Sequence, residues 1–241
     1  LLTGKGQYTD DINVDGQLYG YVVRSSIAHG TLKGIDTSEA EGMPGVIAIY
    51  TAKDLEAYGS IPCVVPFKNR DGSEMSKPGR PGLAVDKVRF VGDPIAFVVA
   101  ETLAQARDAA EAVIPDIDTL PAVTNPTEAA KDGAPQLYEG IANNVCLDFH
   151  YGDADAATKA FAEAAHVTKL DLINNRVVVA AMEPRSAIAE YDAATEKFTF
   201  TAVSQGAFGL RGALANAVLK VPADKVRVIT KNVGGSFGMK A

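Results

Sequence analysis

The feature that most constrains the fold is a proline-rich stretch that divides the chain into two patterned regions. On both sides, short runs of β-branched and aromatic residues alternate with helix-like runs, as in proteins that mix sheets and helices. Between residues 114 and 145 this periodicity fades, and the stretch contains Pro115, Pro121, Pro126 and Pro135. We therefore predict the α+β class, with a first domain at 1–120, a connector at 121–145 and a second domain at 146–241.

The first region predicts four strands, a helix start at 51–54, one longer helix and a long exposed loop. The predicted strands cover residues 18–24, 45–51, 87–91 and 94–100. The last two are expected to pair around the turn Gly92-Asp93. Residues 101–113 predict an amphipathic helix whose apolar side is formed by Leu103, Ala106, Ala110 and Val113. The loop covers residues 63–83, which are rich in proline, glycine and basic residues.

The second region restarts the alternation. Predicted helices cover residues 153–164 and 208–219, and Asp153 is placed as the N-cap of the first of them. Predicted strands cover residues 166–172, 187–191, 197–203 and 225–230. The order strand, turn, helix, strand and glycine-rich turn favours a binding site at the ends of two neighbouring strands, if those strands are parallel.

Composition excludes several classes of function. A net charge of −7 argues against a nucleic-acid partner, which requires a basic surface. No apolar run reaches the roughly 20 residues of a membrane span. The two cysteines, Cys63 and Cys146, lie too far apart for a disulfide scaffold or a Cys-x-x-Cys metal site, and the three histidines have no ligand spacing. We therefore predict no metal ligands in this chain.

Three short segments of the second region are candidates for chemistry. They are MEPR at 182–185, SQG at 204–206 and the turn VGGSFGMK at 233–240. Dense glycines after a strand let backbone N–H groups approach an anionic or oxo ligand. Gln205 lies at a helix start, where its amide can both donate and accept hydrogen bonds.

Each segment also has an ordinary structural explanation. A glycine-rich turn is often only a tight turn, and a glutamine after a strand is often only a cap. Glu183 and Arg185 fit an exposed charged pair, which contributes little to stability. The turn matches neither the phosphate-binding P-loop nor the G-x-G-x-x-G dinucleotide pattern.

The segments taken together are more specific. In the first region GKGQYTDD at 4–11, VRS at 23–25, AH at 28–29, PGV at 44–46 and VGDPIA at 91–96 resemble the α/β hammerhead domain of the xanthine oxidase family of molybdenum hydroxylases. In the second, NNR at 174–176, AEYD at 189–192 and the three candidate segments resemble the start of that family's molybdopterin-binding domain. The resemblance is strongest to the large chain of carbon monoxide dehydrogenase and its aldehyde-oxidising relatives.

The resemblance implies roles for particular residues. Gly235, Ser236, Phe237 and Gly238 would contact the pterin dithiolene and the molybdenum oxo ligand, and Gln205 would hydrogen-bond near the apical oxo ligand. The family's usual turn is Gly-Gly-Gly-Phe-Gly-Gly-Lys, so Ser236 and Met239 replace two glycines. The frequent Gln-x-Pro-His is here Gln-Gly-Ala-Phe, which changes the substrate side of the site.

The resemblance also implies a larger enzyme. Its cofactor would be of the molybdopterin cytosine dinucleotide type, and its electrons would pass to a small [2Fe-2S] subunit and a medium FAD subunit, in a cytoplasmic dimer of heterotrimers. The general-base glutamate and the substrate loop lie further along the family's sequence, so Glu183 is not assigned that role. We expect this chain alone to be inactive and unable to hold the cofactor. Alternatives are a structural half of a split subunit and a scaffold without molybdenum.

Overall fold

The computed structural model describes residues 2–175 and 177–240, so the motif residue Arg176 and the last residue, Ala241, lie outside it. The described chain forms three sheets of three strands each, with helices packed beside them. Two sheets lie in the first region and one lies in the second. The predicted α+β class is confirmed.

The sheets contain nine strands among the described residues. In chain order they are β1 (Tyr19–Arg24), β2 (Gly30–Asp36), β3 (Val46–Tyr50), β4 (Lys87–Val88), β5 (Pro94–Ala100), β6 (Ile114–Thr119), β7 (Ala187–Asp192), β8 (Lys197–Ala202) and β9 (Val226–Ile229). The strand orders are β1-β5-β3, β4-β2-β6 and β7-β8-β9.

The helices are mostly short. The α-helices are α1 (Ser38–Glu41), α2 (Leu103–Ala112), α3 (Pro126–Ala129), α4 (Ala154–Glu163) and α5 (Ala207–Gly212). A π-helical turn at Ala213–Leu219 extends α5, and 3₁₀ turns lie at Thr9–Asp11, Ala52–Leu55, Ala142–Asn144 and Ala223–Lys225. None of the helices in residues 2–175 and 177–240 combines the length and apolar character that a membrane crossing needs.

The core of the first region is built around the central strand β5. Ile95, Ala96 and Val98 on this strand have no solvent exposure. Helix α2 packs on the same sheet, and its N-cap is Thr102, whose side-chain oxygen accepts the N–H of Gln105. The predicted apolar face needs one correction, because Leu103 in the first turn is exposed and Ala109 is buried instead.

The predicted hairpin of β4 and β5 is wrong. Both strands form, but β4 pairs with β2, and β5 pairs with β1 and β3 in the other sheet. The turn between them is hydrogen-bonded elsewhere: Gly92 donates to the Ser25 carbonyl, and the Ser25 N–H donates to Asp93. The turn therefore carries the chain from one sheet to the other.

Two strands gave no sequence signal. Strand β2 contains Gly30 and Gly34, which weaken the strand pattern, and the register shifts between Leu32 and Gly34 as in a bulge. Strand β6 includes Pro115 and lies in the stretch that we predicted to be irregular. It pairs only with β2, and proline is tolerated on such an edge strand.

The second region confirms most of its predicted elements. Asp153 caps α4 by accepting the Ala156 N–H, and β7, β8, β9 and α5 all form near the predicted positions. The predicted strand at 166–172 does not form, because these residues have no strand partner in the described part of the chain. Backbone hydrogen bonds from Gly59 to Val218 and from Asn232 to Gln7 connect the two regions.

Candidate functional site

The candidate site lies at the ends of the neighbouring strands β8 and β9. These strands are parallel, with Phe198 opposite Val226 and Thr201 opposite Ile229. The segment 204–206 follows the end of β8, and the turn at 234–240, here called the glycine turn, follows the end of β9. Because the carboxyl ends of parallel strands lie at the same edge of a sheet, the segment 204–206 and the glycine turn lie side by side, as their order in the sequence predicts.

Gln205 is held on the glycine turn by its backbone and its side chain. Its N–H donates to the carbonyl oxygen of Lys240 at 2.8 Å. Its side-chain Oε1 accepts the Lys240 N–H at 3.4 Å and the hydroxyl of Ser236. The amide nitrogen Nε2 donates to no acceptor in residues 2–175 and 177–240, so it is the group on Gln205 that can serve a ligand.

Glu183 anchors both ends of the glycine turn. At the start, the Gly234 N–H donates to Glu183 Oε2 at 2.6 Å, and the Glu183 N–H donates to the Gly234 carbonyl at 3.2 Å. At the end, the Lys240 ammonium donates to the Glu183 carbonyl at 2.6 Å and lies 3.5 Å from Oε2. A single residue therefore fixes where the turn begins and where it ends.

The alternative in which Glu183 and Arg185 are an exposed charged pair is wrong for Glu183. Its side chain is 8% exposed and that of Lys240 is 4% exposed, so the ion pair is buried. Arg185 is exposed and donates to the Met239 carbonyl, which adds a further contact to the glycine turn. The second carboxylate oxygen of Glu183, Oε1, is buried and has no partner among the described residues.

The glycine turn presents four consecutive backbone donors. In the described part of the chain, none of the N–H groups of Gly235, Ser236, Phe237 and Gly238 donates to a protein acceptor. Positive φ angles at Gly235, Phe237 and Gly238 bend this backbone. Successive N–H groups in such a bent backbone form a concavity that binds anions and oxo groups.

Side chains larger than hydrogen do not fit at the start of the turn. A Cβ at Gly234 would lie 2.5 Å from Cβ of Glu183, so the anchoring contact requires glycine. At Gly235, φ is +105°, and a Cβ would lie 3.0 Å from the Phe237 ring and 3.2 Å from Cβ of Ala181. The Phe237 side chain itself is 77% exposed.

The side chains and backbone of the described site offer hydrogen-bond donors. No group of three His, Cys, Asp or Glu side chains with metal-binding geometry lies within the described ranges. Cys63 and Cys146 are free thiols. A ligand bound here would therefore be held through its own acceptor atoms, such as phosphate, oxo or sulfur groups.

The structure thus brings together all five residues predicted for the site, namely Gln205, Gly235, Ser236, Phe237 and Gly238. Sequence reasoning missed the anchoring roles of Glu183 and Lys240. Both residues stand within the motifs quoted above, but nothing in the sequence indicated that they meet. Their shared burial depends on a contact between residues far apart in the chain, which local patterns do not report.

Comparison with known proteins identifies the family. Residues 3–121 match the model of the aldehyde oxidase and xanthine dehydrogenase a/b hammerhead domain. Residues 137–241 match the model of the molybdopterin cofactor-binding domain. The chain belongs to the aldehyde oxidase and xanthine dehydrogenase family. The donor-rich glycine turn and Gln205 lie in the part that matches the cofactor-binding model.

The chain is similar to the large subunits of several bacterial enzymes. The large subunit of nicotine 6-hydroxylase from Paenarthrobacter nicotinovorans is 36% identical over 100% of this chain and 29% of its own length. The carbon monoxide dehydrogenase large chain from Afipia carboxidovorans is 32% identical over 98% of this chain and 30% of its own length. The chain therefore spans about 30% of the length of these relatives.

Solved structures show the same fold. A crystal structure of Cu,Mo-CO dehydrogenase superposes with a TM-score of 0.86 at 31% identity, over 100% of this chain and 30% of that one. Quinoline 2-oxidoreductase from Pseudomonas putida 86 gives a TM-score of 0.87 at 30% identity, over 99% of this chain and 30% of that one. The order of a hammerhead domain followed by molybdopterin-binding sequence is confirmed.

Proposed function

We propose that this chain supplies part of the cofactor site in the molybdenum-binding large subunit of a hydroxylase that oxidises a small substrate. The observation that carries the proposal is the set of four N–H donors at 235–238 that find no acceptor in residues 2–175 and 177–240, beside the amide of Gln205. The family relationship implies a molybdenum cofactor, and its dithiolene sulfurs and oxo ligand are acceptors that this set of donors fits.

The residues of the chain would bind and orient the cofactor. The backbone donors of Gly235, Ser236, Phe237 and Gly238 would hold its acceptor atoms, and Gln205 would donate from Nε2 toward a further acceptor atom of the cofactor. These donors are neutral, so they direct the group without cancelling its charge. When bound, the cofactor would supply the two-electron oxidation chemistry.

The wider assembly is also part of this proposal. We assign the cofactor to the cytosine dinucleotide type and the electron acceptors to [2Fe-2S] and FAD subunits, in a cytoplasmic dimer of heterotrimers. Support comes from relatives named as subunits of larger complexes, among them the 6-hydroxypseudooxynicotine dehydrogenase complex subunit gamma from Paenarthrobacter nicotinovorans. The free thiols of Cys63 and Cys146 fit a reducing compartment.

The division into domains belongs to the proposal as well. We place the hammerhead domain at 1–120, the connector at 121–145 and the molybdopterin-binding sequence at 146–241. The connector supports this division, since its described structure is limited to α3 and one 3₁₀ turn. We expect that the chain alone would not turn over, because it spans about 30% of the length of its relatives and the family resemblance places the general-base glutamate further along the sequence.

Metal analysis of the whole subunit tests the proposal. The subunit is produced with its partner subunits in a host that makes the molybdenum cofactor, purified, and assayed for molybdenum per polypeptide. A stoichiometry near one is expected, with oxidation of at least one compound from a panel of aldehydes and nitrogen heteroaromatics. A well-folded complex without molybdenum would overturn the proposal and favour a scaffold that has lost the metal.

A further inference from the structure

The orientation of the Gln205 side chain is set by two donors on the glycine turn. The Ser236 hydroxyl and the Lys240 N–H both approach the same oxygen, Oε1. A glutamine amide can rotate by 180° and exchange its donor for its acceptor. A hydroxyl alone does not prevent this rotation, because it can donate or accept.

The Lys240 N–H can only donate, so it requires the amide oxygen on its side. With the oxygen there, the Ser236 hydroxyl acts as a donor to the same atom. Reversing the amide would place its NH₂ group against a backbone N–H and remove that hydrogen bond, and the Ser236 hydroxyl would have to change from donor to acceptor. The amide nitrogen is therefore kept away from the turn and can donate to a ligand. Of the two donors that hold Oε1, the Ser236 hydroxyl is the closer.

We infer that Ser236 is a positioning residue that holds Gln205 so that Nε2 donates to the molybdenum cofactor. The inference rests on the function proposed above. The family pattern quoted above has glycine, which carries no hydroxyl, in place of Ser236. Glycine in the family pattern also means that Ser236→Gly is expected to fold.

A hydrogen bond to a ligand of a metal stabilises the more electron-rich, reduced state, so losing it lowers the midpoint potential. Without the hydroxyl, the Gln205 side chain keeps only the 3.4 Å contact with the Lys240 N–H, so it is held less closely and Nε2 donates to the cofactor for less of the time. We therefore expect Ser236→Ala and Ser236→Gly to shift the molybdenum potential in the negative direction. Turnover should fall about 2- to 12-fold, the fold-change that corresponds to one net hydrogen bond.

The test uses the whole enzyme with its partner subunits and dithionite as reductant, so it does not depend on the natural substrate. Two quantities are measured for each protein: the molybdenum content, and the molybdenum midpoint potential from a redox titration followed by electron paramagnetic resonance. The proteins are wild type, Ser236→Ala, Ser236→Gly, Ser236→Thr, Gln205→Ala and the double variant Gln205→Ala/Ser236→Ala. Thr195→Val is the control, since it removes a hydroxyl in the turn between β7 and β8, at the opposite end of β8.

Four results together support the inference. Molybdenum content stays at the wild-type level in the Ser236 variants, their potential and resonance spectrum shift in the same direction as those of Gln205→Ala, and Ser236→Thr restores the wild-type values. In the Gln205→Ala background, Ser236→Ala has no further effect, because residues that act through one interaction are not additive.

Additive shifts in the double variant, or unchanged spectra in both Ser236→Ala and Ser236→Gly, would overturn the inference while leaving the proposed function in place. The inference would also be overturned if Ser236→Thr shifted the molybdenum potential and the resonance spectrum as much as Ser236→Ala does. A wild-type enzyme that contains no molybdenum would overturn the proposed function, and this inference with it. The two failures are therefore distinguished by the metal content of the wild type.

Discussion

Glu183 and Lys240 form a buried ion pair that joins the two motifs of the candidate site. The Lys240 ammonium donates to the Glu183 backbone carbonyl at 2.6 Å and lies 3.5 Å from its carboxylate. The same carboxylate accepts the N–H of Gly234, where the glycine turn begins. The shape of the turn thus depends on one buried charge remaining paired with another.

Removing one member of this pair should be strongly destabilising. Lys240→Met leaves the Glu183 carboxylate buried without a counter-charge, at a cost of about 3–5 kcal/mol. Glu183→Gln likewise leaves the Lys240 ammonium buried without a counter-charge. In the double variant Glu183→Gln/Lys240→Met neither charge remains, so we expect stability to recover part of the way toward wild type. Thermal unfolding of the whole subunit measures all three variants.

The exposed pair of Lys131 and Glu128 is the matched control. Their side chains are 61% and 54% exposed, so Lys131→Met should cost about 0–1 kcal/mol. If Lys240→Met changed the unfolding midpoint no more than Lys131→Met, the anchoring role of the buried pair would be wrong.

Gln205→Ala should reduce turnover and preserve the fold. The side chain is exposed, so its loss removes no core packing, while it removes the Nε2 donor assigned to the cofactor. Removing one well-placed donor from an active site typically slows the reaction about 10²-fold or more. The measurement is the turnover rate per molybdenum atom of wild type and Gln205→Ala, with the compound of the panel that the wild type oxidises fastest. Wild-type turnover at full molybdenum loading would contradict the assigned role.

Gly235→Ala tests the close approach within the glycine turn. The new Cβ would combine a φ of +105° with contacts of 3.0 Å to the Phe237 ring and 3.2 Å to Ala181. We expect the turn to shift and the subunit to lose most of its molybdenum. Gly72→Ala is the control, since φ is +86° there and no atom lies within 4 Å of the added Cβ.

The control isolates backbone strain, which costs about 1–2 kcal/mol for a left-handed residue. Gly72→Ala should lower stability by that amount and keep its molybdenum. Equal molybdenum loss in both variants would show that general destabilisation, rather than the local contacts of Gly235, empties the site.

Local patterns predicted the elements around the site well. Strands β8 and β9 and helix α5 each show a regular periodicity, and their order along the chain was enough to expect the segment 204–206 beside the glycine turn. The parallel pairing of β8 with β9 then fixes which ends meet. The residues proposed for the site were found because short motifs occur in a fixed order.

Contacts between distant segments were not predictable in the same way. Strand β4 pairs with β2, and the turn after it is hydrogen-bonded to Ser25, which lies far away in the chain; the local hairpin-like sequence gives no sign of either contact. The burial of Glu183 depends on Lys240, and an isolated Glu-Pro-Arg segment normally indicates an exposed surface. In both cases a long-range partner overrides the local preference.

The segment at 166–182 combines a strand-like sequence with high exposure. Several of its large apolar side chains are at least 73% exposed, namely Leu170, Leu172, Ile173, Val177, Val178 and Met182. Helix α4, which precedes it, has no buried residue. Exposed apolar surface of this kind promotes association with other protein surfaces.

We therefore expect the 241-residue chain to self-associate in solution through this segment. Leu172→Lys/Val178→Lys should shift the light-scattering mass toward the monomer, because two exposed apolar side chains are replaced by charged ones. Thr168→Lys/Asn175→Lys adds the same charge to polar positions of the same segment and should leave the association largely intact. A monomeric wild-type chain, or equal effects of the two double variants, would show that the apolar side chains of this segment do not drive association.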